Sequence, residues 1–159
     1  MIQGKTESTI NAYLDLSNVL YDRTSWSQIR YLFKFTNDMD KTVNYSYCQT
    51  VTDKYRFTKC TFTYNTSPDI YSGQIKLFPA GYYKYEVYAV LWSGTVTLAS
   101  GNAPATETDV LSPAASDKGV VQGVITKGKM LLLEKSGTEQ VQYTTRTEPS
   151  STNYIYYGQ

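Results

Sequence analysis

An all-β fold follows from three features of this sequence. Gly81–Trp92 (GYYKYEVYAVLW) alternates its side chains with the two-residue period of a strand, and so do Gln28–Thr36 and Ser8–Leu16. Between such runs stand turn sequences, Asn37–Lys41 (NDMDK) and Pro79-Ala80-Gly81, whose residue types favour tight reversals. The third feature is a large aromatic content skewed to tyrosine, 16 Tyr against 5 Phe, a ring that packs like phenylalanine but brings a hydroxyl in need of water or a partner. In Gly81–Trp92 one face carries Tyr83, Tyr85, Val87, Ala89 and Leu91, and the other Tyr82, Lys84, Glu86, Tyr88, Val90 and Trp92. A strand with aromatic residues on both faces needs a cover on each, from a second sheet or from a partner molecule.

The elements follow in chain order. Ser8–Leu16 sets Ile10, Ala12, Leu14 and Leu16 against Thr9, Asn11, Tyr13 and Asp15, a half-buried strand. Asn18–Gln28 is polar around Trp26 and reads as a loop with a short helical turn. Gln28–Thr36 puts Ile29, Tyr31, Phe33 and Phe35 toward the core, and after the turn Val43–Cys48 aligns Val43, Tyr45 and Tyr47 on one face. Tyr55–Tyr64 starts with Tyr55 and Phe57 in phase and ends with Cys60, Phe62 and Tyr64 in the opposite phase, so a bulge is expected near Thr58–Lys59, or a crossing between sheets. Asn65–Ser72 is a loop. Gly73–Phe78 is a short strand, joined through Pro79-Ala80-Gly81 to Gly81–Trp92 as an antiparallel neighbour at the centre of a sheet.

From Ala99 to Gly119 the chain is mostly small and polar, with Val110 and Leu111 its sizeable apolar residues; a connection of that length predicts a functional arm or a disordered loop. Val120–Glu134 is strand again, with Gly123 marking a bulge, a break expected at Lys127-Gly128-Lys129, and Met130–Leu133 apolar enough for burial on both faces. Gln140–Thr145 is a weak strand. The end, NYIYYGQ, carries Tyr154, Ile155, Tyr156 and Tyr157 and is expected to complete this sheet or to add to a neighbour's edge. One β-sandwich domain over residues 1–145, including the loop 99–119, with an aromatic tail at 146–159, is the expected organisation for 159 residues that are 41% hydrophobic.

Charge and residue type narrow the function. Fifteen basic and 14 acidic residues leave +1, so no broad field draws nucleic acid or anionic lipid, and partners are expected to be recognised by shape and local contacts. Met1–Ser8 lacks the apolar run of a secretory signal and no stretch approaches the roughly 18 apolar residues of a membrane span, so a soluble protein made in the cytoplasm is expected. Cys48 and Cys60 are then expected to be buried thiols, not a cross-strand disulfide.

The chain contains no histidine, which removes imidazole-based triads, His-ligated zinc and histidine general bases. An Asp53–Glu86 carboxylate pair, conceivable for glycosidase-type chemistry, reads as two solvated side chains. Asn37, Asp38 and Asp40 read as a turn in preference to a calcium loop, and Gly119, Gly123 and Gly128 are too far apart for a phosphate loop. No catalytic, cofactor or metal residues are therefore expected. Trp26, Trp92, Tyr82 and Tyr88 are the candidates for stacking on a sugar, though rings buried between sheets or at a subunit contact account for them better.

Five stretches carry a family resemblance: RYLFKFTND at Arg30–Asp38, RFTKCTFT at Arg56–Thr63, GQIKLFPAGYYKYEVYA at Gly73–Ala89, VQGVITKGKML at Val121–Leu131 and YIYYG at Tyr154–Gly158. In these the chain resembles small virion-associated proteins of tailed bacteriophages, of the kind found in marine viruses and crAss-like phages. The long insert Ala99–Gly119 departs from the shorter connection expected of that group. The resemblance implies an Ig-like antiparallel sandwich of about seven to nine strands, made in the host bacterial cytoplasm and placed in the virion. It implies a capsid auxiliary or decoration protein, or else a head-to-tail neck or tail-completion protein; a carbohydrate-binding module of a host-recognition structure is the alternative from another class. The implied partners are other virion proteins, the major capsid protein or neck and portal proteins, with homo-oligomeric contacts compatible, and neither nucleic acid nor membrane. Expected partner-binding residues are Tyr82, Tyr88, Trp92, Val110, Leu111, Tyr154, Ile155, Tyr156 and Tyr157. The expected core is Phe33, Phe35, Phe57, Phe62, Leu77, Tyr85, Val87, Ile125 and Leu132.

Overall fold

A computed structural model describes residues 1–16, 26–48, 50–54, 57–111 and 117–135. Among them are nine strands in two packed sheets: β1 (Ile2–Lys5), β2 (Ile10–Leu14), β3 (Ile29–Asn37), β4 (Val43–Tyr47), β5 (Thr50–Lys54), β6 (Phe57–Tyr64), β7 (Gln74–Ile75), β8 (Gly81–Leu91) and β9 (Val120–Leu133). The larger sheet has the order β1-β9-β8-β3-β4, and the smaller one β2-β6-β5 with β7 beside the end of β6. Pairing is antiparallel except for β1 on β9 and β7 on β6. The predicted sandwich is the observed architecture.

Period-two patterning explains which sides meet. Tyr31, Phe33 and Phe35 of β3, Tyr83, Tyr85 and Val87 of β8, and Met130 and Leu132 of β9 point inward and are buried against Ile10, Ala12, Cys60 and Phe62 of the smaller sheet. Three phenylalanines clasp the two layers. Phe33 and Phe35 stack at 5.9 Å between centroids, and Phe62 meets them edge-on at 4.8 and 5.6 Å, the arrangement that ring quadrupoles favour. Cys48 and Cys60 are buried thiols.

Several expectations need correction. No bulge interrupts β6, whose register is unbroken against β2 and β5. Thr58, Cys60 and Phe62 set its inward phase, and Phe57 lies on the outer face, 39% exposed and edge-on to Tyr13, so it is not a core residue. Tyr55, which suggested the slip, lies outside the described residues. Residues 50–54 form a strand that the polar sequence TVTDK did not announce, and β1 was also missed, being short and held by pairing with β9. Gly73–Phe78 is not the sheet neighbour of β8: only Gln74–Ile75 is strand, it pairs with β6, and the neighbours of β8 are β3 and β9. The Pro79–Gly81 stretch thus carries the chain from one sheet to the other.

Along β9 there is no break at Lys127–Lys129; the irregularity falls opposite Val87/Tyr88 and Ala89/Val90, where Gly123, at φ 138°, supplies the expected bulge. Of Met130–Leu133 only Met130 and Leu132 are fully buried, because this outer part of the sheet is covered on one side alone; Ile125 is partly buried against the core. The expected strand at residues 140–145 and the tail at 146–159 lie outside the described residues.

Phe62→Ala should therefore cost about 3–5 kcal/mol, by loss of burial and the cavity left among the three rings. Phe57→Ala should cost about 1 kcal/mol or less, since it loses mainly the contact with Tyr13. Equilibrium denaturation with urea compares the two, and equal costs would contradict the placement of Phe57 outside.

Candidate interaction surfaces

The outer face of the larger sheet is where the sequence left a question, since β8 is apolar on that side too. Leu32 of β3, Tyr47 of β4 and Val90 of β8, with Trp92 just beyond, point outward yet are fully buried. What covers them is this chain itself. Val96, Leu98 and Ala103, from the connection between β8 and β9, pack on them, and Tyr71 stacks on Tyr47 at 6.1 Å from the connection between β6 and β7. A second apolar cluster forms, separate from the core between the sheets.

Polar bonds pin the covering segment. The Tyr47 hydroxyl donates to the Pro104 carbonyl at 2.8 Å. Lys34 Nζ donates to one Glu107 oxygen at 2.5 Å, and Tyr45 Oη donates to the other at 2.5 Å. Beside them Tyr88 Oη donates to Glu86 at 2.9 Å, and Lys34 also lies 3.9 Å from Glu86. The Asp109 carboxylate accepts from the amides of Ala105 and Thr106 and from the Thr106 hydroxyl, which closes the turn before the tip. At the return arm Trp92 Nε1 donates to the Asp117 carbonyl, Gly119 N to the Asn102 carbonyl, and Lys118 Nζ to Gly101 O and Asn102 Oδ1. Gly119 is required by space: a Cβ there would stand 2.6 Å from the Trp92 ring.

Burial and the neighbouring carboxylates hold the Tyr45 and Tyr88 hydroxyls well above the ordinary phenol range, so both remain proton donors. Burial pushes the Glu107 carboxyl up, but the bonds from Lys34 and Tyr45 outweigh it and the group sits below its ordinary value. This cluster fastens a loop; its carboxylates and phenols are engaged with one another.

The expected partner-binding residues now separate. Val110, just after the Asp109 turn, is 92% exposed, and Leu111 is half-buried. Tyr82 is 54% exposed on the outer face. Tyr88 is half-buried and bonded to Glu86. Trp92 is closed off under the loop, so it is a packing residue and not a contact for a partner or a sugar. Tyr154, Ile155, Tyr156 and Tyr157 lie outside the described residues. Asp53 lies in β5 of the smaller sheet and Glu86 in β8 of the larger one. Asn37 and Asp40 accept bonds from the amides of Met39 and Thr42, and Asp38 pairs with Lys129, the bonding of a turn.

Glu107, Asn102 and Asp109 were not singled out by the sequence, because they lie in a stretch whose composition reads as loop. The usable signal was the need of β8 for a cover on its second face.

At the opposite end of the sandwich a cleft of about 500 Å³ lies among Thr6, Glu7, Tyr64, Lys76, Leu77, Phe78, Glu134 and Lys135. Among the described residues no group of three or more Cys, Asp or Glu side chains converges as a metal site, and no helix is long and apolar enough to cross a membrane. Set against protein-family models, curated proteins and solved structures, the chain finds no match in any of the three comparisons.

The native Glu107 carboxylate is stabilised relative to the unfolded one, so its contribution is present above the ordinary value of 4.5 and fades as pH falls through the lower native pKa. In Glu107→Gln, amide-exchange protection of residues 103–109 should be reduced at neutral pH. The parent protein should lose protection there on acidification below pH 4.5, and the variant should lose less. Hydrogen exchange read by mass spectrometry checks both; identical pH profiles would show that Glu107 is not the latch.

Proposed function

We propose that this chain is an immunoglobulin-type sandwich acting as a non-catalytic structural subunit of a tailed-bacteriophage particle, as a capsid auxiliary protein that binds other virion subunits. The strand order supports the first part. With β2, β3, β4, β5, β6, β8 and β9 in the places of strands B, C, C′, D, E, F and G, the sheets read G-F-C-C′ and B-E-D, the variable-type arrangement, with β1 added beside G. A local device of that fold is also present: the Tyr83 hydroxyl, near the start of β8, donates to the Pro79 carbonyl four residues upstream at 2.7 Å, as in a tyrosine corner. The chain departs from antibody domains in having no cysteine in β2 or β8 and no tryptophan in β3.

One observation carries the binding role. The connection between β8 and β9, the place of a recognition loop in variable domains, is bonded to the sheet at Pro104 and Glu107 while Val110 stands in solvent. A loop held in place binds at a lower ordering cost than a loose one. The absence of histidine, the near-zero net charge and the resemblance over Arg30–Asp38 and Gly73–Ala89 favour assembly in a virion over a reaction. Many copies in a symmetric shell let individually weak contacts suffice.

Val110→Asp should leave the melting temperature within about 2 °C, since the side chain is exposed, while occupancy on purified particles falls several-fold. Removal of residues 153–159 should likewise leave the domain folded and lower occupancy. Quantitative mass spectrometry against the major capsid protein reads both, and a copy number of about a dozen or fewer would move the assignment from shell to neck. Unchanged occupancy in both variants would overturn the binding role of loop and tail.

A further inference from the structure

The part of the outer face around Lys84 and Lys129 has a charge pattern at odds with sheet stability. Lys84 of β8 stands directly opposite Lys129 of β9, and Lys127, two residues before Lys129, points to the same side. Like charges directly opposite each other on a sheet are destabilising. The turn after β3 brings Lys41 to the same corner, where Lys129, Lys84 and Lys41 all act on Asp38. Lys129 pairs with Asp38 at 2.5 Å, while Glu86 is engaged by Tyr88 and lies near Lys34, which is itself bonded to Glu107. Lys84 and Lys127 are exposed; Lys127 stands opposite Glu86, whereas Lys84 meets Lys129. Beside them lie apolar side chains in solvent: Tyr82, Met39 at 77% exposure and Val43 at 43%.

We propose that this patch, Lys84, Lys127 and Lys129 with Tyr82 and Met39, docks an extended acidic segment of a partner protein. The inference deepens the assembly reading, on which it rests, by giving the partner's chemistry. Spacing supports an extended polypeptide: Lys127 and Lys129 repeat at about 7 Å, with Lys84 about 5 Å across, and carboxylates on alternate residues of a strand share the first repeat. Apolar anchors beside the lysines suit a protein with side chains between its carboxylates. A nucleic-acid backbone calls for many phosphate contacts, whereas here Lys41, Lys84, Lys127 and Lys129 stand among the three carboxylates Asp38, Asp40 and Glu86 in a chain of net +1.

The test is fluorescence anisotropy with a fluorescein-labelled peptide of alternating Glu and Val, its Lys-Val counterpart, and an oligo-dT of equal charge. The full chain should bind the Glu peptide saturably at low salt, and more weakly at 200 mM salt. Lys84→Glu with Lys127→Glu should reduce affinity at least about tenfold, with unchanged melting temperature, while Val110→Asp should have no effect on this probe. Absence of saturable binding, equal binding by the lysine variant, or tighter binding of oligo-dT than of the peptide would overturn the proposal. On particles, occupancy lost in Val110→Asp but kept in the lysine variant would overturn this inference alone and leave the assembly reading in place.

Discussion

Strand β8 has apolar side chains on both faces, and water must be kept from each. On the inner side Tyr83, Tyr85 and Val87 meet the smaller sheet, with the Phe33–Phe35–Phe62 cluster beside them. On the outer side the same strand's Val90, with Trp92 just after it, is dried by the chain's own returning segment. Burial of that second face is the condition for everything that follows on it, because a few polar bonds would not hold a long connection against its conformational entropy without apolar area beneath. Once Val96, Leu98 and Ala103 are seated, the bonds to Pro104 and Glu107 orient the segment instead of having to hold it alone.

The consequence is a division of the larger sheet's outer surface into two zones. The upper zone is closed, with an aromatic floor and a bonded cover that leaves Val110 exposed. The lower zone, not covered by the other described residues, carries the lysines of β8 and β9 with Tyr82 among them. A sandwich that spends one sheet face on its own loop leaves loop tip, open zone and strand edges as the surfaces for partners. That distribution is compatible with the proposed role of a subunit that adheres to its neighbours at several small places.

Legibility of the fold differed from element to element for physical reasons. Strands β2, β3 and β8 were plain because each buries one regular face, and side-chain alternation records that burial directly. Strands β1 and β5 were missed because pairing with a neighbour, and not their own apolar content, makes them strands. Phe57 misled because an aromatic residue in phase with Tyr55 suggests a core, whereas its ring lies on the outer face edge-on to Tyr13. Of the residues expected to meet partners, Val110 and Tyr82 are on the surface and Trp92 is not; the difference depends on where a low-complexity loop comes to rest, which no local pattern encodes.

Sequence alone determined the all-β class, the two-faced nature of β8, the bulge at Gly123, and, through the lack of histidine, the range of chemistry open to the chain. These are properties of single residues or of short periods, so they are written locally. Only the tertiary structure decided which strand lies beside which, that the cover of the second face is internal, and that Glu107 meets Lys34 and Tyr45 across more than 60 residues of sequence. Those outcomes depend on long-range burial, where Val96, Leu98 and Ala103 acquire meaning only from the aromatic surface they find.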